Sequence, residues 1–257
     1  MGKRGQVTIY IIIAILVVAA IALVYLFYPK ITSVVSGDFS PGNFIEDRLE
    51  EPVQTNKETL SVQGGYNEPE GFIMYNNNKI EYLCYTSEYY KPCHVQQPMI
   101  KQNFEKELAK LLQPDAELAI NELKMQYERR GYSVVGGDNV KTSVEIVPNK
   151  IKVKIDSPLT VTLKDTTQTF DDFEVEYDSQ MYFLLMTATS ITDYESTYGN
   201  TDTSLYIRYY PNLLIEKNKL EDGSTIYSVE DVTTKERFTF ASRSLAWPAG
   251  LGLTENG

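Results

Sequence analysis

Histidine and cysteine are almost missing from this chain: its 257 residues include one histidine, His94, and two cysteines, Cys84 and Cys93. A structural zinc site takes four nitrogen or sulfur ligands, and imidazole and thiolate alone cannot supply them here. The short motifs of hydrolysis and nucleotide binding are missing as well. There is no G-x-S-x-G elbow, no S-x-x-K pair, no H-E-x-x-H and no G-x-x-x-x-G-K-[ST] phosphate loop. His94 could activate the neighbouring Cys93 thiolate, but a disulfide there would remove the nucleophile, and a lone surface histidine is the plainer reading. Two carboxylates in a cleft leave no local signature, so a glycoside hydrolase stays open as a third-ranked function. No N-x-Ser/Thr sequon occurs. Basic side chains are also in deficit, 24 against 35 acidic ones, for a formal charge of −11. That field repels nucleic acid and anionic headgroups, so nucleic acid is not an expected partner. No cofactor is called for.

What the chain does have is an uncharged run from Val7 to Tyr28 behind the basic leader MGKRGQ. At about 1.5 Å per residue a helix of this length covers roughly 33 Å, enough for a hydrocarbon core of about 30 Å. A transmembrane helix over 7–28 is therefore expected, with the lipid bilayer as its partner. Lys3 and Arg4 keep the short end in the cytoplasm by the positive-inside rule, which makes the chain a single-pass membrane protein with an extracellular C-terminus. The run ends in Tyr25, Leu26, Phe27, Tyr28 and Pro29, bulky residues that do not suit ordinary signal peptidase. Residues 1–6 read as leader, 29–43 as spacer, 44–245 as ectodomain and 246–257 as an irregular tail. The ectodomain is expected either as one unit or as two segments, 44–177 and 178–245. Beyond residue 29 the chain keeps 22 basic and 35 acidic side chains, a formal charge of −13, because Lys3 and Arg4 are the only charges before it. Its 228 residues can bury a core of their own.

Cys84 and Cys93 lie in LCYTSEYYKPC. In an oxidising compartment they close a ten-residue loop, worth about 2.5 to 3 kcal/mol on the chain-entropy model. Tyr82, Tyr85, Tyr89 and Tyr90 surround them. A stiff loop displaying tyrosines suits a glycan, a peptide or a neighbouring cell surface, since Tyr gives contact area at low entropic cost. The plainer reading is that these rings pack the disulfide against the core.

Periodicity divides the ectodomain into helices and meanders. Ile45, Leu49, Val53 and Leu60 keep near-helical spacing, with Pro52 as an expected kink or break and Gly64-Gly65 as the stop. Lys79 to Thr86 reads as a strand. Ile100, Phe104, Leu108 and Leu111 form one stripe and Ala116, Ile120, Leu123 and Tyr127 another, with Pro114 between, so two helices or one kinked helix are expected. After Tyr132 the period falls to 2. Val144 to Ile146, Ile151 to Ile155, Leu159 to Leu163 and Phe173 to Tyr177 read as an antiparallel meander. A helix capped by Asp178 or Ser179 runs to about Tyr198 on a face of Met181, Leu185, Ala188 and Thr192. Leu213 to Leu220 and Ser224 to Glu230 flank Asp222-Gly223 as a hairpin, and Arg237 to Ala241 adds a strand. The fold class expected is α+β, an N-terminal transmembrane helix followed by helices packed on antiparallel β-meanders.

Asp172, Glu174, Glu176 and Asp178 fall on one strand face. Such a row could attract calcium, yet alternation of this kind is what any half-solvated strand shows, and no Asp-rich twelve-residue loop with a central glycine is present.

Two stretches resemble known families. Lys3, Arg4, Gly5 and Gln6, followed at once by the apolar run, resemble the class III signal of archaeal type IV pilin-like proteins. That resemblance implies cleavage between Gly5 and Gln6 by a prepilin peptidase, with the apolar helix kept and a homo-oligomer or filament as a partner state. The fifth mature position, where many pilins carry Glu, is Tyr10, a departure that bears on assembly more than on cleavage. QGGY at 63–66, IEYLCYTSEYYKPC at 80–93 and QQP at 96–98 resemble a group of single-pass surface proteins from small-genome archaea to which no activity is attached. The expected function is therefore non-enzymatic: a membrane-anchored cell-surface structural, assembly or attachment protein. An anchored module binding a ligand, such as a cell-surface glycan, is the second reading.

Overall fold

The computed structural model describes residues 39–248. From Gly42 onward the described residues form one compact unit, which carries both sheets and the long helices. It opens with helix α1 (Pro41–Val62), the hairpin β1 (Phe72–Tyr75) and β2 (Asn78–Tyr85), the short β3 (His94–Val95) and the long helix α2 (Ile100–Arg129). Strands β4 (Ser133–Gly136), β5 (Lys141–Val147), β6 (Lys150–Leu163) and β7 (Thr166–Asp178) follow. Helices α3 (Met181–Tyr198) and α4 (Ser204–Tyr209) lead to β8 (Leu213–Lys219), β9 (Ser224–Asp231) and β10 (Arg237–Arg243).

Both internal prolines are absorbed. Pro52 lies within α1 and Pro114 within α2, so neither ends its helix. A helix-interior proline costs about 3 kcal/mol, and apolar anchors on both sides offset that here. Leu49 and Val53 bracket Pro52, and Leu112 and Ala116 bracket Pro114, all fully buried. The inward residue of the first α2 stripe is Leu112, while Leu111 is only partly covered. The second stripe, Ala116, Ile120, Leu123 and Tyr127, is buried throughout.

Strands β4 to β7 form an antiparallel sheet in which β6 is central, pairing β4 and β5 along one edge and β7 along the other. The two expected strands at 151–155 and 159–163 are one strand. A register shift between Asp156 and Leu159 accommodates Ser157-Pro158, where a proline can forgo its ladder hydrogen bond. The β5–β6 turn is Pro148-Asn149, with Asn149 left-handed at φ 67°.

The second sheet runs β1-β2-β10-β9-β8, with β3 added beside β2. Here the expected fold class needs two corrections. The sheet is mixed, because β10 pairs β2 in parallel, Ala241 opposite Tyr82 and Arg243 opposite Tyr85. Alternation within a strand reports its buried face and not its neighbour, and this neighbour is about 160 residues away along the chain. Further, no helix among the described residues is long and apolar enough to cross a membrane. The 30-residue α2 has the length, but charged residues recur along it. The transmembrane helix expected over Val7 to Tyr28 is thus not shown, and that run lies outside the described residues, as do Gly5 and Gln6.

Strands β9 and β10 are buried on both faces. On one face Tyr227 stacks on Phe240 at 5.2 Å, and Phe238 meets Phe104 of α2 edge-on at 6.2 Å. On the other, Ile226 and Ala241 join Ile80 in a small cluster. Helix α3 lies between the sheets, with Met181, Leu185, Ala188 and Thr192 inward as the spacing predicted, and the Ser179 hydroxyl accepts from the Met181 amide at 3.1 Å. Glu236 reinforces that helix start by accepting from Ser179 Oγ at 2.8 Å and from the Gln180 amide, while its own charge is met by the buried Lys57 at 2.5 Å.

Candidate functional site

The cysteine loop is a covalent turn laid on the last strand. Cys84 and Cys93 are joined, Cα to Cα 5.4 Å, and both are buried. Of the four tyrosines around them, Tyr82 points inward and bonds Ser224 Oγ at 2.7 Å, with Tyr85 edge-on to it at 5.0 Å. Tyr89 lies under the Arg243 guanidinium at 5.4 Å, and Tyr90 is edge-on to Trp247 at 5.2 Å. The Tyr90 amide donates to Ala246 and the Leu245 amide to Lys91, so the chain just after β10 is tied to the loop. The rings thus meet Ser224, Arg243, Trp247 and one another, and Tyr85, Tyr89 and Tyr90 are exposed. His94 is exposed on β3, beside a cysteine that is not a free thiol.

The acidic row meets countercharges. Register sets Lys150, Lys152 and Lys154 of β6 across from β7, and they pair with Glu176, with Glu174 and Glu176, and with Asp172 respectively. Hydrogen bonds from Lys150 and Lys152 hold the Glu176 carboxyl down at about 2. A cross-strand ladder of this kind neutralises the charge that calcium would have used. Among the described residues no group of three or more His, Cys, Asp or Glu side chains could hold a metal ion.

A polar cluster with the composition of a catalytic site lies between α3 and the mixed sheet. Glu195 is buried and accepts from Tyr227 Oη at 2.5 Å, Ser242 Oγ at 2.6 Å and the Thr201 amide at 3.2 Å. Lys217 Nζ stands 3.9 Å away and donates to Asn200 Oδ1 and the Thr201 carbonyl. Burial pushes the Lys217 ammonium down, with the Glu195 charge opposing, and pushes the Tyr227 hydroxyl up so that it stays a donor. Ser242 has no exposed surface, so a substrate cannot reach it in this state. The cluster holds the structure together: it fixes the loop after α3 from below.

That loop carries the surface that sequence reasoning missed. Gly199 closes α3 with φ 81° and donates to the Glu195 carbonyl. Only glycine fits, because a Cβ there would lie 2.3 Å from Leu245 Cδ1. Asp202 Oδ1 then accepts from the Ser204 amide at 3.0 Å and starts α4, which Tyr206 Oη pins to Ser190 Oγ of α3 at 2.8 Å. No residue of α4 is buried. A six-residue helix has little stability of its own, and its apolar side chains contribute nothing to the core. Leu205, Ile207, Tyr209 and Tyr210 are exposed, as are Phe183, Tyr194 and Tyr198 of α3 and Leu214 of β8. A groove of about 350 Å³ runs on one side of α4 between Phe183, Met186, Thr187, Tyr206, Tyr210 and Asn212. Another of about 400 Å³ lies on the other side, walled by Tyr194, Asp202, Leu205, Tyr206 and Tyr209. The one signal in the sequence was density: five of the nineteen tyrosines fall within residues 194–210.

No protein-family model, no curated protein and no solved structure matches the chain. The functional reading therefore stands on the residues themselves.

Proposed function

We infer that this chain is a membrane-anchored cell-surface attachment protein whose α3–α4 surface is the attaching face. The observation that carries the reading is the row of exposed rings on α4 and its neighbours, preformed by Gly199, the Tyr206–Ser190 hydrogen bond and Lys217, and idle in the fold itself. Exposed apolar groups clustered in this way mark interaction sites more often than scattered ones do. The apolar length of Val7 to Tyr28, the basic leader and the acid-rich remainder support placement at the outer face of a membrane. The buried disulfide supports an oxidising compartment. The leader's likeness to pilin-type signals supports prepilin processing between Gly5 and Gln6 and, as one form of the same role, assembly into a homo-oligomer or filament.

Two measurements test this. Surface biotinylation of intact cells should label the full chain at lysines such as Lys219 and Lys235, and absence of label with the protein present in the cell sinks the placement. Cells carrying the combined Tyr209→Ala and Tyr210→Ala variant should lose attachment while retaining surface label. Unchanged attachment refutes the assignment of the attaching face.

A further inference from the structure

We propose that the two grooves flanking α4 form one site for a neutral, polyhydroxylated chain, a segment of polysaccharide, whose sugar rings lie on Tyr206, Tyr209 and Tyr210. This rests on the attachment reading for its biological setting but not for its chemistry. The three tyrosines are shared between the grooves: Tyr206, Tyr209 and Tyr210 contribute to both. A ligand engaging both must therefore cross the helix, which calls for an extended molecule. Each groove has the size of a small-ligand site but stays open along its length.

The polar groups beside the rings select the class. Among the described residues, Thr187 and Asn212 present a hydroxyl and a carboxamide that make no hydrogen bond within the protein, and the Tyr209 and Tyr210 hydroxyls are equally uncommitted. Such groups donate and accept, which matches hydroxyls on a ligand, while the ring faces match the apolar faces of sugar rings. No lysine or arginine among the described residues lines either groove, so a phosphate, sulfate or uronate would meet no countercharge. The two carboxylates present are occupied in their own turns: Asp202 accepts from the Ser204 amide, and Asp231 from the amides of Thr233 and Thr234. Both stay ionised, which further disfavours an anionic ligand.

The test is affinity electrophoresis of the full chain in detergent, through gels containing mannan, dextran or hydroxyethylcellulose, with alginate and poly-L-proline as counter-probes. At least one neutral polysaccharide should retard the protein and alginate should not. Tyr209→Ala and Tyr210→Ala should each weaken the retardation about tenfold, in the range of an aromatic hot spot. Tyr210→Phe, which keeps the ring, should retain most of it, and Leu118→Ala on the far exposed surface of α2 should be neutral. Both tyrosines are exposed, so unchanged thermal melts are expected to accompany the loss. Lack of retardation by all three neutral polymers overturns the proposal, as does retardation that survives both alanine variants or stronger retardation by alginate or poly-L-proline. Retardation in cells that do not attach would sustain the ligand class and overturn the attachment reading alone. Attachment through this face without retardation would do the reverse.

Discussion

Replacing Glu195 with alanine should be among the most damaging single changes in the protein. Its carboxylate is 2 % exposed and is the shared acceptor for Tyr227 Oη, Ser242 Oγ and the Thr201 amide, with the Lys217 ammonium at 3.9 Å. Truncation leaves two buried hydroxyls and an amide without an acceptor and removes the countercharge of a half-buried lysine. An unsatisfied buried donor costs about 1 to 3 kcal/mol, and removing one partner of a buried charge pair costs about 3 to 5 kcal/mol. The terms overlap, so the expectation for Glu195→Ala is a loss of about 3 to 5 kcal/mol. For a domain of this size that corresponds to a fall in Tm of about 6 to 20 °C. Glu195→Gln keeps one acceptor oxygen, and the Ser242 hydroxyl can rotate to accept from the new amide, so its loss should be less than half as large. A double-mutant cycle of Glu195→Ala with Tyr227→Phe isolates the shortest contact, and its coupling should be about 1.5 to 3 kcal/mol, the range for a hydrogen bond to a charged group. Urea unfolding of the full chain in detergent, followed by near-ultraviolet circular dichroism, supplies all four free energies. A Glu195→Ala loss below about 1 kcal/mol, or a coupling near zero, would refute the claim that this cluster holds the α3–α4 junction.

Removing the disulfide by Cys84→Ala with Cys93→Ala should cost about 2.5 to 3 kcal/mol and lower Tm by about 5 to 12 °C in a calorimetric scan. An unchanged scan would show that the loop is held by its noncovalent contacts with β3 and with the chain around Arg243 to Trp247. The lysine ladder makes a pH prediction: Glu176 is held at about 2, below its usual 4.5, so its contribution to stability is complete above about 4.5 and is lost as pH falls toward 2. Carbon-detected NMR titration of Glu176 should show a midpoint near 2 that rises in Lys150→Ala, and a midpoint unchanged by that substitution would mean that the pairing does not persist in solution.

Local pattern went a long way toward the elements and stopped short of the site. The inward residues of α1, the second stripe of α2, the α3 face and the hairpins around Pro148-Asn149 and Asp222-Gly223 follow from periods of 3.6 and 2 with turn chemistry between them, because each depends on neighbours a few residues away. Leu111 and Leu112 could not be separated in this way, since adjacent positions differ by only 100° around a helix and packing chooses between them. The continuity of α1 and α2 through their prolines was likewise decided by apolar anchors supplied from elsewhere in the fold.

The candidate site lies furthest from what local pattern can reach. SLYIRYY has the composition of a core segment, and in sequence its rings cannot be told from buried ones. Exposure is a property of what fails to cover a residue, and only the assembled sheet, with Gly199 turning the chain and Lys217 holding the loop, leaves these rings outside. The reverse holds for Asp172, Glu174 and Glu176, whose solitude in the sequence ended when the pairing of β6 with β7 brought lysines within ion-pair reach of them. The sequence by itself determined the charge balance, the apolar amino-terminal run, the pairing of the two cysteines that exist and the order of helices and strands. Tertiary structure decided the parallel β2–β10 contact, the burial of Glu195 and the display of the tyrosines, because each joins segments that the chain separates and only packing brings together.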